Sequence, residues 1–160
     1  MCSQALANFY IEKSREDQIP LTNMQLQKLV FIGFGWVYAL TGRDLLDGEN
    51  FEAWQHGPVL PSVYHEVKHN GDRPITDFTT DYDFTDNVVY IPKVKTEQTR
   101  QILGKVWETY KNFNAWSLRE LTHQKDTPWA NVYDANKRGV VIPKEEIDKY
   151  YTKYLKDLLG

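Results

Sequence analysis

With 160 residues, 41% hydrophobic and 14% aromatic, the chain has the length of one domain with a single sizeable core. Its formal net charge of −3 offers no general attraction to a polyanion, which argues against nucleic acid as the main partner. A lone cysteine, Cys2, excludes an intramolecular disulfide and fits a reducing cytoplasm; no secretion signal is expected at the N-terminus, and the apolar run at 26–40 is too short and too mixed to span a membrane.

Residues 3–14 read as a helix, with Ser3 as its expected cap and Leu6, Phe9 and Tyr10 on one face. A charged connector over 15–21 ends in Ile19-Pro20-Leu21. Thr22 opens a second helix, and Gln25, three residues on, completes a capping box. Leu26, Leu29, Val30, Gly33, Val37 and Leu40 make its apolar stripe, which Phe31, Phe34, Trp36 and Tyr38 widen nearly all round. A helix so apolar belongs in the middle of a bundle. Gly33 and Gly35 each cost about 1 kcal/mol of helix propensity relative to alanine. Close approach of another backbone or of a large ring is the expected compensation. Gly42 suits the left-handed stop.

After a polar loop at 44–50, Phe51 to Trp54 reads as a short extended piece. Gly57-Pro58 is expected to turn the chain into a third helix over Val59–Asn70, ended by Gly71. Residues 72–87 have no helical period, and Val88 to Ile91 reads as a strand stopped by Pro92, part of a small hairpin against the helices. Thr96 is the expected cap of a fourth helix carrying Ile102, Leu103, Val106, Trp107 and Tyr110. A fifth starts near Ala115, and 122–129 is a loop. Residues 130–136 read as a helical turn broken at Arg138-Gly139. The last helix begins at Pro143, with Glu145 and Glu146 in its first turn and Ile147, Tyr150, Tyr151, Tyr154, Leu155 and Leu158 as its buried face. The fold class is mainly α: one domain over residues 1–160, a bundle of about six helices with a small β hairpin or short extended strands.

One segment spells an enzyme motif. His65-Glu66-Val67-Lys68-His69 matches H-E-x-x-H, in which two histidines one helical turn apart bind zinc and the glutamate activates water. A zinc-dependent hydrolase using His65, Glu66 and His69 is therefore the alternative function. Against it, a buried stripe of Leu60, Val63, Tyr64 and Val67 points both histidines away from the core at about 100° per residue. Lys68 beside the second histidine opposes a cation, and no third ligand follows at motif spacing. Asp81, Asp83 and Asp86 read as a solvated acidic loop, and no other catalytic set or cofactor signature is present. Lys28 is the odd polar group on a buried helix, expected to pair with an acid such as Glu52 or to snorkel to solvent. Arg43 is expected to fix the turn after that helix, and His123 to tie down a loop. Trp54 and Trp129 read as core anchors. Basic residues are scattered apart from Lys137-Arg138, which leaves DNA binding as a weaker third reading.

Several segments, in order, resemble one family. They are Leu26-Gln27-Lys28-Leu29-Val30 through Gly35-Trp36, then Gly42-Arg43 with Leu45. Phe51-Glu52-Ala53-Trp54 with Gly57-Pro58-Val59 and Pro61 follows, and later Leu121-Thr122-His123 with Pro128-Trp129. Together they resemble the Panacea domain, the SocA-like antitoxin domain also known as phage-associated protein. Phe31, Gly33 and Phe34 depart from its usual Tyr, Ala and Gln, and His56 stands where an aromatic is usual. The resemblance implies a cytoplasmic bacterial or phage antitoxin that neutralises a protein toxin encoded in the adjacent gene. Direct binding is the expected route, and delivery of the toxin to a cellular protease is the other. No cofactor or catalytic residue comes with it. The residues it marks as structural or partner-binding are Gln27, Lys28, Trp36, Arg43, Glu52, Trp54, Gly57, Pro58, Pro61, Tyr64, Thr122, His123, Pro128 and Trp129.

Overall fold

The computed structural model describes residues 2–159, the side chain of residue 159 excepted; the two terminal positions of the expected 1–160 domain lie outside the described residues. In chain order the elements are α1 (Ser3–Asp17), α2 (Asn23–Thr41), β1 (Glu52–Trp54), β2 (Gly57–Val59) and α3 (Pro61–Val67), the last followed by a 3-10 turn at Lys68–Asn70. Then come β3 (Asp81–Asp83), β4 (Val88–Tyr90), α4 (Glu97–Tyr110), α5 (Ala115–His123), α6 (Pro128–Val132), β5 (Val140–Val141) and α7 (Lys144–Leu159). The architecture is mainly α with small antiparallel β elements. Among the described residues, no helix is long and apolar enough to cross a membrane.

Helix α2 is the axis. Every residue from Leu26 to Val37 is buried, and α1, α3, α4, α5, α7 and β2 all pack on it. Its start is the expected capping box: the Gln25 amide donates to Thr22 Oγ1 at 3.4 Å, and the Thr22 amide donates to Gln25 Oε1 at 2.8 Å. Both interior glycines receive rings. A Cβ on Gly33 would lie 2.5 Å from the Tyr10 hydroxyl, and one on Gly35 would overlap the Tyr151 ring of α7. The loss of helix propensity is thus offset by rings seated directly against the helix backbone. The helix stops at Gly42 with φ 72°. Leu40, expected on the stripe, is exposed in the last turn of α2, and Leu158 in the last turn of α7 is exposed as well.

Several local expectations are corrected. Ser3 is not the cap of α1: Cys2 holds that position, and the Ser3 hydroxyl instead donates to the Glu49 carboxylate, a charge-assisted bond. Helix α1 runs on to Asp17 and closes on Gln18 in the left-handed region. Thr96 precedes α4 without a side-chain cap. The turn expected at 130–136 is α6, two residues earlier, because Thr127 Oγ1 accepts from the Ala130 amide and Pro128 fits the first helical position.

The extended pieces form two sheets. In the first the order is β2-β1-β5, all antiparallel, with Ala53 opposite Pro58 on one side and opposite Val140 on the other. Gly57 to Val59 is therefore a strand, where a turn into a helix was expected, and α3 begins only at Pro61. In the second, β3 and β4 pair from Asp81↔Tyr90 to Asp83↔Val88, and the hairpin stands out from the body with Phe84 and Val89 exposed. Its base is pinned to α1 by Asn8. The Asn8 amide donates to the carbonyls of Thr79 and Pro92 at 3.0 and 2.9 Å, and its Oδ1 accepts from the Thr79 amide at 2.8 Å.

Candidate functional site

The β1–β2 hairpin turns through Gln55 and His56 alone, with Gly57 at φ 118°. Pro58 lies on the edge strand β2, where its missing N–H breaks no further ladder. The tip is held from α5 and α6. Trp129 Nε1 donates to the Trp54 carbonyl at 2.6 Å, and a His123 ring nitrogen lies 3.2 Å from the Gln55 carbonyl. The Trp129 ring stacks on Tyr133 and lies 3.7 Å from the His123 ring, centroid to centroid. Thr122 and Thr127 organise the turn that carries these rings: Thr127 Oγ1 donates to the Thr122 carbonyl at 2.9 Å, and Thr122 Oγ1 donates to the Arg119 carbonyl at 2.9 Å.

His123 Nδ1 also lies 2.8 Å from the Arg119 carbonyl, so both ring nitrogens face acceptors. A neutral imidazole has one N–H and can donate to only one of them. Burial nevertheless lowers its pKa, the two carbonyls oppose this, and the nearby cations Arg119 and Lys28 lower it further.

Under the hairpin lies Lys28. It is 1% exposed, and no ion pair or hydrogen bond to its amine is found among the described residues. Both expectations for it are corrected. It does not snorkel, and Glu52 is not its partner: Glu52 Oε1 accepts from Trp54 Nε1 at 2.9 Å, two residues along the same strand face. Burial lowers the Lys28 pKa to about 7, with a smaller contribution from Arg119, whose own Nε is buried without a partner. Gly57 exists in contact with this side chain: a Cβ there would lie 2.5 Å from Lys28 Cε and 3.2 Å from Thr122 Oγ1.

Lys28 faces a cavity of about 630 Å³ between α2, the hairpin and α3. Its walls are largely apolar, with Met24, Trp54, Val59 and Tyr64 among them, and Trp54 meets Tyr64 edge-to-face at 4.8 Å. The neighbouring Gln27 is buried, and both its amide oxygen and its amide nitrogen have partners. Its Oε1 accepts from the Leu60 amide at 3.0 Å, and its Nε2 donates to Asn23 Oδ1 at 3.0 Å. Gln27 thus locks the far end of the hairpin to α2.

The structure brings twelve of the fourteen marked residues into this region: Gln27, Lys28, Glu52, Trp54, Gly57, Pro58, Pro61, Tyr64, Thr122, His123, Pro128 and Trp129. Trp36 lies elsewhere, packed against Tyr154 of α7. Arg43 is exposed; its amide donates to Thr41 Oγ1 at 3.2 Å, and its guanidinium makes no bond among the described residues, so the αL glycine and not the arginine sets that turn. His65, Glu66 and His69 are exposed, and α3 ends at Val67, which places His69 on the 3-10 turn and breaks the one-turn ligand spacing. Among the described residues no group of three His, Cys, Asp or Glu side chains is placed to hold a metal. In the acidic loop Asp83 accepts from the amides of Thr85 and Asp86, which is turn capping.

Comparison with known proteins places this geometry. The sequence model of the antitoxin SocA-like, Panacea domain matches residues 26–130. The chain belongs to that family. Antitoxin SocA of Caulobacter vibrioides (strain NA1000 / CB15N) is 29% identical over 128 residues, covering 79% of this chain and 68% of SocA. No solved structure matches. The family match takes in most of α2, the β1–β2 hairpin and the start of α6, so the hairpin, its clamp and most of the cavity wall fall within the Panacea region, while α1, all of α7 and the cavity residues Thr22, Asn23 and Met24 lie outside it. Sequence reading missed Asn23, Met24 and Arg119, and named Val59 only within the family segment. Asn23 had a legible signal, standing one helical turn before Gln27; the others are apolar or charged residues whose place only the packing reveals.

Proposed function

We propose that this Panacea domain is an antitoxin that neutralises a cognate protein toxin, encoded in the adjacent gene, by direct protein contact in the cytoplasm. The family match over residues 26–130 carries this reading, and the name of the curated relative supports it. The surface suits it: Trp116 and Phe113, at the start of α5 and just before it, are exposed aromatics of the kind enriched at protein interfaces. The role needs no cofactor and no catalytic residue.

Co-expression tests it. The neighbouring reading frame, induced alone, is expected to arrest growth; with this chain present growth returns and the two proteins copurify. A harmless neighbour with no copurifying complex sinks the reading. Delivery to a cellular protease is the second route to the same outcome. It predicts that toxin level falls when the antitoxin is present, whereas occlusion leaves toxin level unchanged and activity blocked.

A further inference from the structure

The geometry points to an acidic side chain of the bound protein partner as the occupant of the Lys28 cavity, its carboxylate meeting the lysine ammonium and the Asn23 amide while flanking apolar residues pack on Met24, Trp54, Val59 and Tyr64. This rests on the partner-binding reading above and adds the chemistry of the contact.

Charge is the first ground. A buried ammonium without a counter-ion is costly, and such groups are normally paired. Lys28 has no carboxylate within ion-pair distance among the described residues. Asp72 also lines the cavity but is exposed and makes no ion pair with it, and the nearby Arg119 has the same sign as Lys28. In its protonated form Lys28 therefore leaves the site short of one negative charge, which a bound carboxylate supplies.

Hydrogen-bond polarity is the second ground, and it is independent. The Leu60 amide can only donate, so the Gln27 oxygen must face it. The Gln27 NH₂ then faces Asn23, which turns the Asn23 oxygen toward Gln27. The Asn23 NH₂ is left with no bond among the described residues, and Asn23 lines the cavity. Both polar groups therefore present donors and no acceptor. A carboxylate supplies the missing charge and the missing acceptors together.

The rim selects a protein over a free small acid. Among the lining residues Gln55 and His56 at the hairpin tip are exposed, and Trp116, which follows the lining residue Ala115 in sequence, is 64% exposed. A concave pocket with a buried polar floor and half-buried aromatic walls, Trp54 and Tyr64, suits an anchor side chain at a protein interface.

The probe is the protein encoded beside this chain, titrated against the full chain. Lys28→Met keeps the stem and removes the ammonium, and Asn23→Asp replaces the donating amide with a carboxylate that repels the partner's. Each is expected to raise Kd by at least about thirtyfold, with the Tm of free Lys28→Met equal to or above wild type as proof of folding. His65→Ala, on the exposed face of α3, is expected to stay within about threefold of wild type. A Lys28→Met complex as tight as wild type overturns the proposal and leaves the antitoxin reading standing. No complex with the wild-type chain overturns both. Indole-3-propionate, an apolar carboxylate, is expected to compete with the partner. If it raises the Tm of wild type but not of Lys28→Met and leaves the partner's Kd unchanged, the cavity belongs to a small acid and the proposal falls.

Discussion

Lys28 runs directly beneath Gly57, close enough that a Cβ on the glycine would lie 2.5 Å from the lysine Cε and 3.1 Å from its Nζ. Gly57 also sits at φ 118°, a conformation strained for any other residue. Gly57→Ala is therefore expected to cost about 3 kcal/mol from backbone strain and overpacking together. Adding Lys28→Ala removes the steric part alone, so the two substitutions are expected to be non-additive in urea denaturation. Additive losses would mean that the two residues do not press on each other.

The same lysine gives the free chain a pH signature. In the folded state burial brings its pKa to about 7, from an ordinary value of 10.5. Between those values the unfolded chain holds more protons than the folded one, so stability rises with pH. The expected gain from pH 7 to pH 9.5 is on the order of 3 kcal/mol, and it disappears in Lys28→Met. His123, also lowered, acts in the same direction as pH falls through 6.5. Tyr10 and Tyr151, held well above 10 by burial, reverse the trend at higher pH by favouring the folded state only while protonated. Chemical denaturation at several pH values reads all three.

Two glycine-to-alanine changes in helices are expected to have opposite signs. At Gly104 in α4 a Cβ meets nothing within 4 Å, so alanine gains helix propensity and stabilises by about 0.5–1 kcal/mol. At Gly35 the same gain is overwhelmed, because the new methyl overlaps the Tyr151 ring; a net loss of about 2 kcal/mol or more is expected. Thermal melts of the pair decide it.

His65→Ala and His69→Ala are expected to change stability by no more than about 0.5 kcal/mol, since both side chains are exposed. Untagged protein is expected to carry no stoichiometric zinc by elemental analysis. Zinc that is present at one per chain and lost in His69→Ala would restore the metal reading.

The legible parts of this protein were those set by near neighbours. The capping box of Thr22 and Gln25, the nearly all-round apolar α2 and the two glycines awaiting rings depend on spacing within one helix. Gly57 to Val59 misled because Gly-Pro is a turn signal locally, whereas its strand character comes from pairing with Glu52 to Trp54, which Val140 and Val141 join from far along the chain. Ser3 has a cap's chemistry but found a charged acceptor on another segment. At the site, the marked segments were visible as strings. Their convergence on the hairpin tip was not, since Trp129 and His123 reach carbonyls of residues they never approach in sequence. Glu52 does not serve Lys28, because its carboxylate is taken by the Trp54 indole two residues along the same strand.

The ring that fills the Gly35 notch comes from α7, a helix made long after α2. A ribosome therefore releases the most apolar helix of the chain early and its cover late. Until α7 is made, the nascent chain carries an open apolar groove of the kind that chaperones and proteases capture. Completing α7 thus competes with capture of the uncovered α2, and slow translation near residues 144–159 is expected to lower the amount of finished protein without changing a single contact of the finished fold.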